Sequence, residues 1–348
     1  MKLALTTTLL RPGQGIFDGC SVYTRQILQG LPACGWQVLP YEPLSYRRAL
    51  LRGILRPAPA PADLLHVTDY RVERMACPVV ATLYDAIPMA RPEYANQRWR
   101  GLKNALMRHV ARYADHIVCI SEYAAAEVAH YYGVAAERMS IIPCGIDDAW
   151  LQTLPQAAIE DVRRRRALPP SYVLAVGTLQ PRKNFSRLLQ AHQQLPDALR
   201  REHPLVLVGR PGWDCAELIA QLQQAAATGT VYWLADVASL QELRALYAGA
   251  GLFALPSLHE GFGLPLLEAF ASSLPVLIHA GSSLPEVSAG AALDVDAEDT
   301  AALCRGLQRL LTERTEAKER AQRGRRRAEQ LTASAMNRGL ATLYGSLL

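Results

Sequence analysis

Short apolar runs alternate with longer amphipathic stretches along almost the whole chain, and this alternation restricts the fold more than any other feature. Buried strands of a parallel sheet read as continuous apolar runs, and the helices between them show a helical period. In the first half, strands are predicted at 2–7, 38–41, 64–67, 79–83, 116–120 and 139–142. The pattern restarts with predicted strands at 172–176, 205–208, 231–234, 251–255 and 276–279. We therefore expect an α/β protein with two Rossmann-like sheets.

The join between the two patterns predicts the domain boundaries. A chain of 348 residues is long for one α/β domain and sufficient for two. Residues 143–170 contain Pro, Gly and a run of four arginines, Arg163–Arg166, without a strand pattern. We predict an N-terminal domain at 1–149, a linker at 150–170, a C-terminal domain at 171–331, and a last helix at 332–348 that packs back on the N-terminal domain.

The composition is that of a globular protein, because half of the residues are hydrophobic and one fifth are charged. The net charge of +5 gives little support for a nucleic-acid partner. Seven widely spaced cysteines without metal-ligand spacing indicate reduced thiols and a cytoplasmic protein. The chain has no apolar run long enough to span a membrane, and the short run at its N-terminus reads as a strand rather than a signal sequence.

The most informative segment is 256–270, with the sequence PSLHEGFGLPLLEAF. It follows a predicted strand and opens a helix, with Pro265 at an early helical position where a missing N–H costs little. The backbone amides of Phe262, Gly263 and Leu264 have no partner inside such a helix. Free amides, the helix dipole and flexible glycines together favour binding of an anion such as phosphate.

Two carboxylates bracket this turn, Glu260 before it and Glu268 on the predicted helix. Carboxylates accept hydrogen bonds from hydroxyl groups, and a nucleotide sugar has hydroxyls on both sides of its diphosphate. A single acid near a helix start would have a simpler explanation in the helix dipole. The pair, placed on either side of an anion site, favours nucleotide-sugar binding.

This segment resembles the E-x7-E motif of the retaining GT-B glycosyltransferases of family 4. The resemblance covers essentially the whole chain, is most specific at 173–295, and implies two facing Rossmann-like domains with a ligand cleft between them. It implies that Glu260 contacts hydroxyls of the donor sugar and that Glu268 contacts the ribose. The turn between them completes the donor site through Gly261, Phe262, Gly263 and Leu264.

A second motif, at 176–184, has the sequence VGTLQPRKN and follows the first predicted strand of the C-terminal domain. Two adjacent cations at a strand end can neutralise a diphosphate leaving group. The motif resembles the GxxxPRKN segment of the family, which implies that Arg182 and Lys183 hold the donor diphosphate and that Gly177 lines the site. Many members also carry an arginine directly after this glycine, where the chain has Thr178.

Two further segments of the C-terminal half resemble the family. The segment 208–213, which includes Gly209, is expected to shape the pocket of the nucleotide base. The segment 282–287 is expected to close the floor of the donor site. The Asp294-Val295-Asp296 run has the spacing of a metal site, but we interpret it as structural and expect no metal and no cofactor.

The N-terminal half is expected to bind the acceptor. The glycines at 13–19, including Gly15, are mis-spaced for a dinucleotide fingerprint, and we interpret them as a loop that contacts the donor phosphate. The segment 82–88 resembles T-x-H-D-x-I-P of a mannosyltransferase-like branch. Tyr84 replaces the histidine; its phenol can donate a hydrogen bond to a substrate but cannot shuttle protons near neutral pH. Asp85 remains a candidate for positioning the acceptor.

The resemblance predicts a metal-independent, retaining hexosyltransferase in which Glu260, Arg182, Lys183 and Asp85 are catalytic. The donor is a nucleotide-diphosphate sugar, for which GDP-mannose is the first choice, and the acceptor is a glycan or lipid-linked glycan. The alternatives are an epimerase or hydrolase of nucleotide sugars on the same fold, and a non-catalytic nucleotide-binding module.

Positive charge is concentrated between residues 45 and 112, which hold 12 Lys and Arg against 5 Asp and Glu. Part of this region, 46–56, mixes cationic and apolar residues. Such a segment can lie on an anionic membrane, which would suit a lipid-linked acceptor, or it can be a solvated helix. Peripheral membrane contact is therefore one of two readings.

Overall fold

The computed structural model describes residues 1–10, 18–43, 57–94 and 100–348. These residues form two compact units, one of residues 1–147 with 331–348 and one of residues 148–330. In this division the segment predicted as a linker, 150–170, is part of the second unit, and the last helix belongs to the first.

The first unit contains a parallel sheet of six strands in the order β2-β1-β3-β4-β5-β6. The strands are β1 (Lys2–Thr6), β2 (Gln37–Tyr41), β3 (Leu64–Val67), β4 (Val79–Leu83), β5 (His116–Cys119) and β6 (Met139–Ile141). The helices of its described residues are α1 (Gly19–Gly30), α2 (Ile87–Ala90), α3 (Arg100–Ala111) and α4 (Glu122–Tyr132). Strands β3 and β4 are buried along their whole length, which explains their largely apolar sequences.

The second unit contains another parallel sheet of six strands in the order β12-β11-β10-β7-β8-β9. The strands are β7 (Val173–Val176), β8 (Leu205–Val208), β9 (Val231–Leu234), β10 (Leu252–Leu255), β11 (Val276–His279) and β12 (Leu293–Val295). The chain runs outward from β7 to β9 and then returns to the other side of β7 with β10. Ligands of such sheets bind where the strand order reverses, beyond the carboxyl ends of β7 and β10.

The helices of the second unit surround this sheet. They are α5 (Asp148–Leu151), α6 (Gln156–Arg165), α7 (Phe185–Gln193), α8 (Asp197–Glu202), α9 (Ala216–Ala226), α10 (Leu240–Ala248), α11 (Leu264–Ala271), α12 (Leu284–Ser288), α13 (Thr300–Thr312) and α14 (Arg314–Gln330). Gly324 of α14 packs directly on the Phe270 ring of α11, since a Cβ there would lie 2.3 Å from Phe270 Cδ1. At this contact the backbone of α14 lies directly against α11, the helix that carries Glu268, because residue 324 has no side chain.

The last helix, α15 (Ala333–Leu347), is part of the first unit. The hydroxyl of Tyr344, fully buried, is hydrogen bonded to His66 Nδ1 at 2.6 Å. The Asn337 amide donates to the backbone carbonyl of Gln26 in α1 at 3.1 Å. These contacts fasten the C-terminus to the first sheet and to its first helix.

Most of the predicted elements are present within one or two residues, and Ser121 caps α4 by accepting from the backbone amide of Ala124. One strand of the second sheet was not predicted: Asp294, in the Asp294-Val295-Asp296 run, lies within β12, which pairs with β11. Across the described residues, the helices are too short or too polar to cross a lipid bilayer.

Candidate donor site

The loop that precedes α11 has the shape that the sequence predicts. Strand β10 ends at Leu255, and helix α11 begins at Leu264 with Pro265 in its first turn. Gly263 stands before the helix with φ = 93°, and a Cβ at this position would lie 2.6 Å from Leu284 Cδ2. Only glycine satisfies both conditions without strain, so the amides that open α11 are placed by a residue that cannot be exchanged freely.

Glu260 lies in this loop between two cations. Lys183 Nζ donates to Glu260 Oε1 at 2.5 Å, and Arg182 Nη1 donates to Oε2 at 3.0 Å. The same Arg182 nitrogen is 2.9 Å from the backbone carbonyl of His259. Each oxygen of the Glu260 carboxylate therefore has its own charged partner, and the three charged residues of the two motifs that the sequence assigns to sugar and diphosphate are joined in one cluster.

The electrostatics of this cluster are set by burial and by charge. Burial on its own would raise the pKa of Glu260, but the charges of Lys183 and Arg182 outweigh it and lower the pKa to about 2. Burial lowers the pKa of Lys183, and the carboxylate of Glu260 opposes this change. With two cations and one anion, the cluster keeps an excess of one positive charge. Such an excess attracts an anionic ligand.

The two cations stand on a short helical turn, Pro181–Lys183, beyond the carboxyl end of β7. The next residue, Asn184, adopts φ = 57°, and its side-chain amide donates to the carbonyl of Ala297 at 2.7 Å. The backbone amide of Leu258 donates to the carbonyl of Arg182 at 2.8 Å. The turn after β7 is thus tied through Leu258 to the loop after β10, at the point where the strand order reverses, and through Ala297 to the segment after β12.

Gly177 and Gly209 lie side by side at the ends of the neighbouring strands β7 and β8. The amide of Gly177 donates to the carbonyl of Val208 at 2.9 Å. A Cβ on Gly209 would lie 1.9 Å from the carbonyl oxygen of Gly177. Glycine at 209 is therefore required by the close approach of two backbones, which is a sufficient structural reason for this residue. The contact of either glycine with a donor stays a prediction.

Glu268, on α11, has a different environment from Glu260. Its Oε2 accepts a hydrogen bond of 2.7 Å from the hydroxyl of Tyr247 on α10. Burial raises the pKa of Glu268 to about 7, although the Tyr247 hydrogen bond and the charge of Lys183 act in the opposite direction. The two glutamates of one motif therefore differ in charge near neutral pH.

The predicted residues of the first unit are only partly described. Gly15 lies outside the described residues. Asp85 follows β4, and its Oδ1 accepts from the amide of Ile87 at 3.1 Å, which stabilises the start of α2. Tyr84 is buried, and its hydroxyl donates to the carbonyl of Thr68 at 3.0 Å. The hydroxyl proton of Tyr84 is thus engaged by a backbone carbonyl in the core and not available to donate to a substrate. The role of Asp85 stays a prediction.

Sequence reasoning assigned no specific contact to three residues that hold the site together. The Ser283 hydroxyl donates to the backbone carbonyl of Glu260 at 2.9 Å, Asn184 fixes the cationic turn, and Tyr247 binds Glu268. A sequence signal existed for Asn184, because asparagine is enriched at positive φ. For Ser283 and Tyr247 the partner lies more than 20 positions away, and no local pattern reports such a pair.

The D-x-D run has local partners in the structure. Asp296 Oδ1 accepts from the amide of Glu298 at 2.9 Å. Burial raises the pKa of Asp294, and the charge of Arg320 opposes the shift. Among the residues that the structure describes, His, Cys, Asp and Glu side chains do not gather in threes that could hold a metal ion.

Two family models match the chain. Residues 159–328 match "Glycosyl transferases group 1", and residues 29–150 match "Glycosyltransferase Family 4". Together they span strands β2–β6 of the first sheet, all six strands of the second sheet and the whole donor motif. The chain belongs to glycosyltransferase family 4.

Individual relatives agree with this family. The chain is 32% identical over 235 residues to O-antigen chain mannosyltransferase B of Escherichia coli, an alignment that covers 67% of this chain and 60% of that protein. The chain therefore spans less than two thirds of the length of this relative.

Solved structures agree on the fold. Sucrose-phosphate synthase from Thermosynechococcus elongatus superposes with a TM-score of 0.80 at 18% identity, over 100% of this chain and 99% of that one. Anabaena HepE in complex with UDP and glucose gives a TM-score of 0.77 at 17% identity over all of both chains. With its two parallel six-stranded sheets, the family 4 chain has the two-domain GT-B fold.

The buried ion pair leads to a prediction for stability. We expect Lys183→Met to lower the free energy of unfolding by about 3–5 kcal/mol, because it leaves the buried Glu260 carboxylate without its closest cation. Adding Glu260→Gln should recover most of this loss, since neither side chain then carries a buried charge. Urea denaturation of the single and double variants measures both effects.

The control for this prediction is Arg201→Met, which breaks an ion pair with Asp197 on the surface, where the Arg201 side chain is 75% exposed. Its cost should stay below about 1 kcal/mol. A Lys183→Met protein as stable as the Arg201→Met protein would contradict the buried pair.

The raised pKa of Glu268 leads to a pH prediction. Between pH 4.5, the ordinary pKa of a glutamate, and pH about 7, the folded protein keeps a proton on Glu268 that the unfolded chain releases. Stability from this group therefore falls as the pH rises to about 7 and then stays constant. The glutamine of Glu268→Gln is neutral at every pH. We therefore expect the melting temperature of this variant to lie above that of the wild type at pH 8 and close to it at pH 5.

Differential scanning fluorimetry at both pH values tests this expectation. Glu319→Gln removes a charge from an exposed glutamate of α14 and serves as the control. If the difference between Glu268→Gln and wild type were the same at pH 5 and pH 8, Glu268 would not titrate in this range.

Proposed function

We propose that this family 4 chain transfers a hexose, mannose in the first instance, from a nucleotide-diphosphate sugar to a glycan or lipid-linked glycan acceptor. The observation that carries the proposal is the cluster of Arg182, Lys183 and Glu260 beyond the carboxyl ends of β7 and β10. The likeness to an O-antigen chain mannosyltransferase supports mannose and polysaccharide assembly. UDP in the HepE structure supports a nucleotide as the ligand of this fold.

The diphosphate of the donor would bind at the excess positive charge. Arg182 and Lys183 can donate to phosphate oxygens in place of Glu260. The backbone amides of Phe262, Gly263 and Leu264, at the N-terminus of α11, can donate to the same phosphate groups. As the bond from the anomeric carbon to the phosphate oxygen breaks, negative charge grows on the leaving diphosphate. Fixed cations stabilise that charge without reorganisation.

Glu260 and Glu268 would recognise hydroxyl groups on opposite sides of the diphosphate. Glu260 stays ionised because its pKa lies near 2, so it always accepts hydrogen bonds. In our proposal it binds hydroxyls of the sugar, and Glu268 binds those of the ribose. Gly177 and Gly209 would let the nucleotide approach the strand ends closely.

We further propose that the anomeric configuration is retained and that no metal takes part. In this reaction the acceptor oxygen forms the new bond on the face that the diphosphate leaves. The acceptor proton passes to the departing phosphate oxygen, so charge and atoms balance. Arg182 and Lys183 supply the positive charge that a metal ion would otherwise provide. Asp85 would orient the acceptor hydroxyl.

Thermal stabilisation by nucleotides tests this proposal. We expect one of GDP, UDP or dTDP, with GDP first, to raise the melting temperature in the presence of EDTA. At 100 times the dissociation constant the gain is about 2.7 kcal/mol. Glu260→Gln should keep this binding but lose transfer of mannose from GDP-mannose, measured by release of GDP with a glycan acceptor.

Each alternative has its own outcome in this experiment. Release of free sugar or conversion of the donor without an acceptor product would indicate a hydrolase or an epimerase. Binding without turnover of any nucleotide sugar would indicate a nucleotide-binding module. Stabilisation by NAD alone, or by none of the nucleotides, would overturn the donor site.

Peripheral membrane contact is part of the proposal and rests on α3. This helix has Leu102 68% exposed between cationic residues, and Lys103, Arg108 and Arg112 are exposed as well. An apolar side chain among cations suits the interface of an anionic bilayer. The segment 46–56, from which membrane contact was predicted, lies outside the described residues. Cytoplasmic localisation stays a prediction.

Sedimentation with liposomes tests this contact. We expect the protein to bind vesicles of phosphatidylcholine with 30–40% phosphatidylglycerol, roughly 1 kcal/mol being lost for each cation removed. The triple variant Lys103→Gln/Arg108→Gln/Arg112→Gln should bind several-fold more weakly. Its control removes the same charge from α6, by Arg163→Gln/Arg164→Gln/Arg165→Gln. Equal binding of the two triple variants would exclude α3 as the membrane surface.

A further inference from the structure

Tyr247 is a buried residue that contacts the donor motif without belonging to it. Its side chain is fully buried on α10, and its hydroxyl donates to Glu268 Oε2 at 2.7 Å. The two residues are 21 positions apart and stand on different helices. A buried tyrosine hydroxyl needs a hydrogen-bond partner, and here that partner is a carboxylate of the proposed ribose site.

The ring of Tyr247 is held on two sides by other aromatic rings. The Trp150 ring meets it edge-on, with centroids 5.2 Å apart and planes at 88°. The Phe253 ring, on β10, lies 5.2 Å away at 34°. Tightly packed aromatic rings leave little room for rotation, so the direction of the hydroxyl is fixed by packing.

The hydrogen bond also favours the charged form of Glu268. Burial raises the pKa of this carboxyl, and the Tyr247 hydroxyl counteracts the rise by stabilising the anion. A fixed donor on Oε2 sets the plane of the carboxyl group and with it the position of Oε1. An anionic, oriented carboxylate is the form that accepts hydrogen bonds from two neighbouring hydroxyls.

We propose that Tyr247 is a positioning residue that orients Glu268 toward the ribose hydroxyls of the donor nucleotide. The proposal rests on the donor site described above, because it assumes that Glu268 binds the ribose. It adds a specific claim: Tyr247 contributes to nucleotide affinity only through the contact of Glu268 with the ribose hydroxyls, and not through contacts with the phosphate or the base or through a general effect on folding.

Comparison of a nucleotide with its dideoxy analogue separates this role from a structural one. Calorimetric titration would measure binding of GDP and of 2′,3′-dideoxy-GDP to wild type and to Tyr247→Phe. If thermal shift selects UDP, the UDP pair is used. We expect wild type to prefer the ribonucleotide at least on the order of tenfold, a ratio that corresponds to about 1.4 kcal/mol. Tyr247→Phe should lose most of this preference and bind the dideoxynucleotide as wild type does.

The matched control is Tyr172→Phe. Tyr172 is also buried in the second unit, and its hydroxyl donates at 2.7 Å to the backbone carbonyl of Leu246, the residue before Tyr247. This variant removes the same hydroxyl from the same region but not from Glu268. We expect a comparable loss of stability and an unchanged preference for the ribonucleotide.

A second variant keeps the test informative if Tyr247→Phe folds poorly. Glu268→Gln leaves Tyr247 in place and should itself lose the preference for the ribonucleotide. In steady-state kinetics, Tyr247→Phe should raise KM for the donor sugar nucleotide several-fold with a smaller change in kcat. Combining Tyr247→Phe with Glu268→Gln should add nothing to the loss from Glu268→Gln alone.

Three results would overturn the proposal. Equal weakening of both nucleotides by Tyr247→Phe would assign it a structural role. Loss of the preference in Tyr172→Phe would show that any buried hydroxyl of this region has the same effect. Equal binding of both nucleotides by wild type would refute the contact of Glu268 with the ribose but not the donor site. Binding of no nucleoside diphosphate would refute the proposed function itself.

Discussion

The buried ion pair between Lys183 and Glu260 is the interaction on which the donor site depends. Each charge would cost several kcal/mol if it were buried without a partner, so the loops that carry the two residues must meet. The hydrogen bond from the Asn184 amide to the Pro256 carbonyl and the Leu258–Arg182 backbone hydrogen bond hold these loops together. Ser283 adds the loop after β11 to the same assembly through the carbonyl of Glu260. One electrostatic requirement thus fixes the carboxyl ends of three strands.

The sheets could be predicted from the sequence because their central strands are buried on both faces. Leu205–Val208 and Leu252–Leu255 are apolar at every position, and such runs are visible without any tertiary information. Strand β12 is different, because it is an edge strand of three residues with the polar Asp294 in its middle. Its sequence resembles a metal-binding spacing more than a strand, and only the pairing with β11 distinguishes the two.

The charged residues of the site could be predicted because they lie in two short segments with unusual chemistry, a Pro-Arg-Lys turn and a glutamate before a glycine-rich helix start. Their partners could not be predicted. The contact of Lys183 with Glu260 joins residues 77 positions apart, and Tyr247 meets Glu268 across two helices. Tyr84 shows the opposite error: its position in a family-like segment suggested substrate contact, but packing against Tyr23 and a bond to Thr68 place it in the core.

The two glutamates of the donor motif illustrate how the fold sets chemistry that the sequence leaves open. Both are glutamates near one helix start, yet cations hold the pKa of Glu260 near 2 and burial raises that of Glu268 to about 7. A donor diphosphate at Arg182 and Lys183 would compete with Glu260 for the same hydrogen bonds. Because the cluster carries one more positive charge than Glu260 neutralises, this exchange need not leave the carboxylate without a counter-ion. The affinity of the site for its donor therefore depends on how two cations are shared between a phosphate and a carboxylate, and not on their number alone.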